Sequence, residues 1–68
     1  METTERFLRR DEVSRTTGLP VSTIYQQMSL EKFPRPVRIS PRLVAWRETE
    51  ILEWQEARIA ERDSGEAA

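Results

Sequence analysis

The sequence predicts a small, mainly α-helical domain that carries one β-hairpin. Three observations lead to this prediction. Gly18 separates two short segments of helical character. Prolines near residues 34–36 end that helical region, and the stretch 37–46 that follows alternates in polarity or is apolar, as β-strands do. A longer amphipathic stretch over residues 48–62 then predicts a final helix.

The helical half of the chain follows a short extended pair at residues 7–8. A first helix is predicted over residues 11–17, and Gly18 is suited to end it in the left-handed conformation. A second helix is predicted over residues 20–30, with Pro20 in its first turn, where the missing N–H costs nothing. At about 100° per residue, the apolar side of this second helix contains Val21, Ile24, Tyr25 and Met28.

The other half of the chain is predicted to be a hairpin followed by a helix. Residues 37–39 alternate with period two, residues 43–46 form a second extended run, and Ser40-Pro41-Arg42 between them has turn chemistry. The last helix starts at Glu48 or Thr49 and runs to about Arg62. The predicted organisation is one domain over 6–62, with flexible tails at 1–5 and 63–68.

The composition excludes several classes of function. The chain has 68 residues and neither cysteine nor histidine, so it lacks thiol chemistry, the usual zinc ligand and the commonest general base. We expect no enzyme activity, no catalytic residue, no metal site, no cofactor and no small-molecule substrate. No apolar run approaches the ~20 residues that span a bilayer, and the polar first five residues do not resemble a signal peptide. We therefore expect a cytoplasmic protein without a membrane partner.

The net charge of −1 is low for a nucleic-acid-binding protein, but the charges are unevenly distributed. Residues 1–34 are neutral in sum, residues 35–47 contain four arginines and no acid, and residues 48–68 sum to −5. A positive central segment beside an acidic helix fits a protein with one DNA-facing side. An ordinary mixed surface is the alternative.

Two features suggest DNA contacts. A helix-turn-helix needs a tight turn and a second helix with short, exposed polar residues early in it, and Ser22, Thr23 and Gln26 meet this need. Arg38 and Arg42 lie in or beside the hairpin, and Arg35 precedes it, as in a wing that reaches phosphates or the minor groove. The alternatives are a plain helical hairpin with a polar face, and arginine stems stacked on the tryptophans.

Other features favour structural roles. Trp46 and Trp54 lie in apolar patterns, which favours core packing over base stacking. The glutamates of the last helix lie along its surface, which favours a solvated face over acid–base chemistry. Leu52 and Ile59 lie at the edge of the apolar face of this helix, and we interpret them as the edge of the core instead of a protein-contact site.

Several short motifs occur in a recognisable order. They are Leu8-Arg9-Arg10-Asp11-Glu12-Val13, Thr17-Gly18-Leu19, Ser22-Thr23-Ile24-Tyr25, Phe33-Pro34-Arg35-Pro36-Val37, Trp46-Arg47-Glu48 and Glu50-Ile51-Leu52-Glu53-Trp54. Together they resemble the AlpA family of phage and prophage regulators, over about residues 6–62. The resemblance implies a winged helix-turn-helix fold related to MerR-type and excisionase DNA-binding domains, in a bacterial, nucleoid-associated protein.

The resemblance also implies roles for individual residues. The second helix would be the recognition helix, Ile24 would hold it to the core, and the hairpin from Arg38 to Arg42 would be the wing. The candidate DNA-binding residues are Ser22, Thr23, Tyr25, Gln26, Gln27, Arg35, Arg38 and Arg42. Two positions depart from the family pattern, because Pro20 replaces a capping serine and Gln26 replaces an arginine.

The function that follows is sequence-specific binding of double-stranded DNA to regulate transcription in a prophage or other mobile element. Because a basic residue is missing at Gln26, we expect further copies of the chain or a partner to assist binding. One alternative is an excisionase that acts with an integrase through the same surface. Another is a protein-interaction module or anti-repressor that does not bind DNA directly.

Overall fold

Gly18 and the proline-rich loop divide the chain as the sequence predicts. The structure, a computed structural model, describes residues 5–65, so of the expected tails it describes only Glu5 and residues 63–65. The elements in chain order are β1 (Phe7–Leu8), α1 (Arg10–Thr17), α2 (Val21–Ser29), β2 (Val37–Ser40), β3 (Leu43–Arg47) and α3 (Glu48–Asp63). The mainly α fold with a small β-hairpin is confirmed, and its arrangement is a winged helix-turn-helix.

The turn between α1 and α2 depends on a left-handed glycine. Gly18 has φ of 80° and its N–H donates to the Ser14 carbonyl, which ends α1. The Ser14 hydroxyl in turn donates to the carbonyl of Leu19 at 2.7 Å and fixes the chain beyond the turn. Pro20 is extended, with ψ of 152°, so α2 begins at Val21. The prediction that Pro20 lies in the first turn of the helix is therefore wrong by one residue.

The three strands form an antiparallel sheet in the order β1-β3-β2. β3 pairs with β1 through Leu8 and Trp46, and with β2 through a hairpin whose turn contains Pro41 and Arg42. A register shift between Arg38 and Ser40 makes the end of the hairpin irregular. The predicted hairpin is thus confirmed, and β1 pairs with β3 on the side opposite β2.

The core lies where α1, α2 and α3 pack on β3. Its buried members are Leu8, Val13, Ile24, Phe33, Trp46 and Ile51, and Leu19, Met28, Val44 and Trp54 pack against them in part. The core prediction is confirmed for Trp46, which is completely buried, whereas Trp54 is half-buried. Leu52 and Ile59 lie at the edge of α3, 50% and 45% exposed.

Both tryptophans hold the loop between α2 and the hairpin. The indole N–H of Trp46 donates to the carbonyl of Pro34 at 2.9 Å, and that of Trp54 donates to the carbonyl of Lys32 at 3.0 Å. We call residues 32–36 the clamped loop. Because its backbone is fixed to β3 and to α3, the hairpin has a defined position relative to α2.

Candidate nucleic-acid interface

The outward face of α2 is polar and uncharged. Ser22 and Gln26 are exposed and Thr23 is half-buried, and α2 contains no acidic or basic residue. Ile24 is fully buried and attaches the helix to the core. Short hydroxyl and amide side chains on such a face are able to reach base edges without electrostatic repulsion from phosphates.

Tyr25 lies at the border of this face instead of inside the core. Its ring meets Trp46 edge-on, with 6.2 Å between ring centroids, and 40% of the residue stays exposed. It lines a depression together with Arg42 of the hairpin turn. The placement of Tyr25 on the apolar side of α2 was therefore half correct, since one side of its ring packs on the core and the rest faces solvent.

Gln27 lies on the opposite flank of α2. It is half-buried and lines a depression with Trp54, Arg58 and Glu61 of α3. The structure therefore brings Tyr25 and Arg42 together, and it places Gln27 beside α3, away from the hairpin turn.

The arginines of the wing are exposed. Arg35, Arg38 and Arg42 are all exposed, and within residues 5–65 none of them has an ion pair. Arg38 donates to the carbonyl of Pro41 across the turn at 3.1 Å. The cation that stacks on Trp54 is Arg58, 5.4 Å from the ring centroid, and the described residues show no such stacking for the wing arginines.

Arg47, the fourth arginine of the positive segment, is neutralised. Its guanidinium lies 3.1 Å from Glu5 and 3.5 Å from Glu50, and the hydrogen bond with Glu5 raises the pKa of Arg47. Desolvation raises the pKa of Glu5, but the hydrogen bonds from Arg47 and Thr49 outweigh it, so that the pKa of Glu5 is lowered. Only three of the four arginines in the segment are thus available to an anion.

Sequence reasoning gave no separate role to Arg9 and Arg10. Both are exposed and line the same depression as Tyr25 and Arg42. The adjacent basic pair was visible in the sequence, but nothing local indicates that the start of α1 lies beside the hairpin turn. Arg6, by contrast, pairs with Glu12 at 3.0 Å.

The family comparison agrees with this geometry. The sequence model of the family described as prophage CP4-57 regulatory protein (AlpA) matches residues 6–59. The chain belongs to this family. The AlpA resemblance predicted from the sequence is thereby confirmed, and the chain is a member of a family of prophage regulatory proteins.

The chain is also similar to a curated phage protein. The AlpA-family chain is 43% identical over 63 residues to the uncharacterized protein ORF88 of Enterobacteria phage P4, covering 93% of this chain and 72% of that one. No solved structure gives a significant match. Within residues 5–65, no helix is both long and apolar enough to cross a bilayer.

Proposed function

We propose that this chain binds double-stranded DNA sequence-specifically and regulates transcription of genes in a prophage or related mobile element. The observation that carries the proposal is the shared border of α2 and the wing. Tyr25 of α2 and Arg42 of the wing line one depression, so an uncharged polar helix face continues directly into a positive hairpin. Membership of the AlpA regulatory family supports the proposal.

In this proposal α2 enters the major groove. Ser22, Thr23 and Gln26 contact base edges or phosphates, and the amide of Gln26 is suited to bidentate pairing with adenine, worth about 1–3 kcal/mol of discrimination. Within residues 5–65, no side chain caps the first turn of α2, and the backbone N–H groups of that turn add positive potential on the same side.

The wing supplies attraction that does not depend on sequence. Arg38 and Arg42 contact the neighbouring backbone or minor groove, and Arg35 lies in the clamped loop close to them in sequence. A single module of this size buries on the order of 600–1,000 Å² on DNA. We therefore also propose that several copies bind adjacent sites to reach useful affinity.

The test begins with selection of duplexes from a random-sequence pool by the wild-type protein, followed by footprinting on the DNA that flanks its gene. The variants are Thr23→Ala in α2 and Arg42→Ala in the wing. Arg62→Ala is the control, because it removes the same charge as Arg42→Ala but lies at the end of α3, beside Asp63.

We expect Thr23→Ala and Arg42→Ala to lose affinity for the selected duplex and to lose control of a reporter gene, while Arg62→Ala retains both. Thermal melting of each variant shows whether the fold is intact. If the two interface variants bind and regulate as the wild type does, the chain does not act through this surface and the proposal is wrong.

A further inference from the structure

A depression of about 220 Å³ lies where the start of α1, the middle of α2 and the hairpin turn meet. It is lined by Arg9, Arg10, Tyr25, Arg42 and Val44, and we call it the three-arginine pocket. Three separate elements of the fold supply its guanidinium groups and its phenol, and Val44 is its half-buried apolar member. Among residues 5–65, no acidic residue lines it.

The positive charge of this pocket is not neutralised by the described part of the chain. Within residues 5–65, the guanidinium groups of Arg9, Arg10 and Arg42 have neither an ion pair nor a side-chain hydrogen bond. The nearest carboxylate along the chain is that of Asp11, which forms no ion pair among residues 5–65. The next is that of Glu12. It binds the guanidinium of Arg6 at 3.0 Å and accepts the backbone N–H of Arg9 at 3.3 Å.

The guanidinium groups around the three-arginine pocket repel one another. Two unit charges at close range repel by about 1 kcal/mol in water, and by more where protein displaces solvent. An anion between the three guanidinium groups would replace this repulsion by attraction. Arginine forks match the oxygens of a phosphate bidentately, and the hydroxyl of Tyr25, which has no hydrogen-bond partner among residues 5–65, is a further donor.

We infer that the three-arginine pocket binds one backbone phosphate of DNA and thereby fixes the register of α2 on the duplex. This inference rests on the proposed function. A DNA strand that passes from the groove occupied by α2 to the wing crosses the border of the two, where the pocket lies. Arg9 and Arg10 thus join the interface, and Tyr25 contacts the backbone instead of a base.

The test compares Arg9→Gln and Arg10→Gln with Arg15→Gln. Arg15 lies on α1, as Arg10 does, is exposed and lies outside the pocket. Its variant therefore loses the same charge without losing the proposed contact. The probes are the duplex that the wild type selects from a random pool and a mixed-sequence duplex. Affinity is measured by fluorescence anisotropy over a range of salt concentrations.

Each phosphate contact contributes about −0.9 to the slope of log K against log salt concentration. Because the three arginines share one phosphate, we expect Arg9→Gln and Arg10→Gln each to flatten the slope by part of that amount and the double variant by up to about 0.9. The change should be equal on both duplexes, because a phosphate contact carries no sequence information. Arg15→Gln should change the slope much less. Arg10→Lys, which keeps the charge, should recover most of the slope.

A methylphosphonate scan of the selected duplex locates the contact. Neutralising one particular phosphate linkage should weaken DNA binding by the wild type. The same change should not further weaken DNA binding by the double variant Arg9→Gln/Arg10→Gln. Inorganic phosphate added at constant ionic strength without DNA should raise the Tm of the wild type no more than that of Arg9→Gln/Arg10→Gln, and a larger rise for the wild type would show a site for free phosphate instead.

The outcomes separate this inference from the proposed function. If the wild type selects a duplex but the pocket variants match Arg15→Gln in slope, the inference is wrong and the proposed function stands. If the wild type selects no duplex, the proposed function fails and this inference fails with it.

Discussion

Replacement of Trp46 by phenylalanine tests how the core and the clamped loop are connected. Trp46 is fully buried and its indole N–H donates to the carbonyl of Pro34 at 2.9 Å. Loss of that hydrogen bond costs about 1 kcal/mol. Loss of the buried carbon atoms that phenylalanine lacks, about two, costs roughly 1.6 kcal/mol at about 0.8 kcal/mol each. We therefore expect Trp46→Phe to lower the free energy of unfolding by about 2–3 kcal/mol.

Trp54→Phe is the matched control for this substitution. Its indole makes an equivalent hydrogen bond, to the carbonyl of Lys32 at 3.0 Å, but Trp54 is only half-buried. The packing loss should be about half as large, so the total should be roughly 1.8 kcal/mol. Urea unfolding followed by far-ultraviolet circular dichroism measures both values. In a domain of this size each kcal/mol lowers the Tm by about 4–8 °C. If Trp54→Phe costs as much as Trp46→Phe, burial is not what separates the two tryptophans and the reasoning is refuted.

Three further substitutions test other parts of the molecule. Gly18→Ala should destabilise the domain by about 1–2 kcal/mol, measured by thermal melting, because φ is +80° there while an added Cβ meets nothing within 4 Å; an unchanged Tm would contradict the left-handed turn. The pKa of Glu5 is lowered from 4.5 in the folded state, so its contribution to stability is present above that pH and is lost as the pH falls through the lowered value. Glu5→Gln should therefore reduce the Tm at neutral pH and weaken its fall on acidification, and a parallel fall in both proteins would contradict this. Gln26→Ala should weaken binding to the selected duplex by about 1–3 kcal/mol and leave binding to mixed-sequence DNA unchanged; equal loss on both would show that Gln26 does not read a base.

The elements of the fold were predictable because their signals are local. Gly18 ends α1, the alternation in residues 37–39 marks β2, and the turn at Pro41 and Arg42 closes the hairpin. The start of α2 was misplaced by one residue, because Pro20 has an extended ψ of 152° and lies before the helix instead of in its first turn. That choice depends on ψ, which the sequence does not specify.

The site was less predictable because it depends on contacts between distant residues. Arg47 loses its availability through Glu5, which is 42 residues away in sequence. Tyr25 and Gln27 lie about 200° apart around α2. Only the packing of α3 and of the hairpin determines which element each of them faces. Arg9 and Arg10 lie beside the hairpin turn for the same reason, since tertiary packing brings the start of α1 to the wing.

The two indole hydrogen bonds to the clamped loop also have a consequence for the DNA. Because the carbonyls of Lys32 and Pro34 are held, the distance between α2 and the wing is set before DNA binds. The protein therefore loses little conformational entropy when α2 and the wing both contact a duplex. A duplex that contacts both must then adapt to the protein. Base-pair steps between the two contacts that bend or narrow easily will be favoured although no side chain touches them.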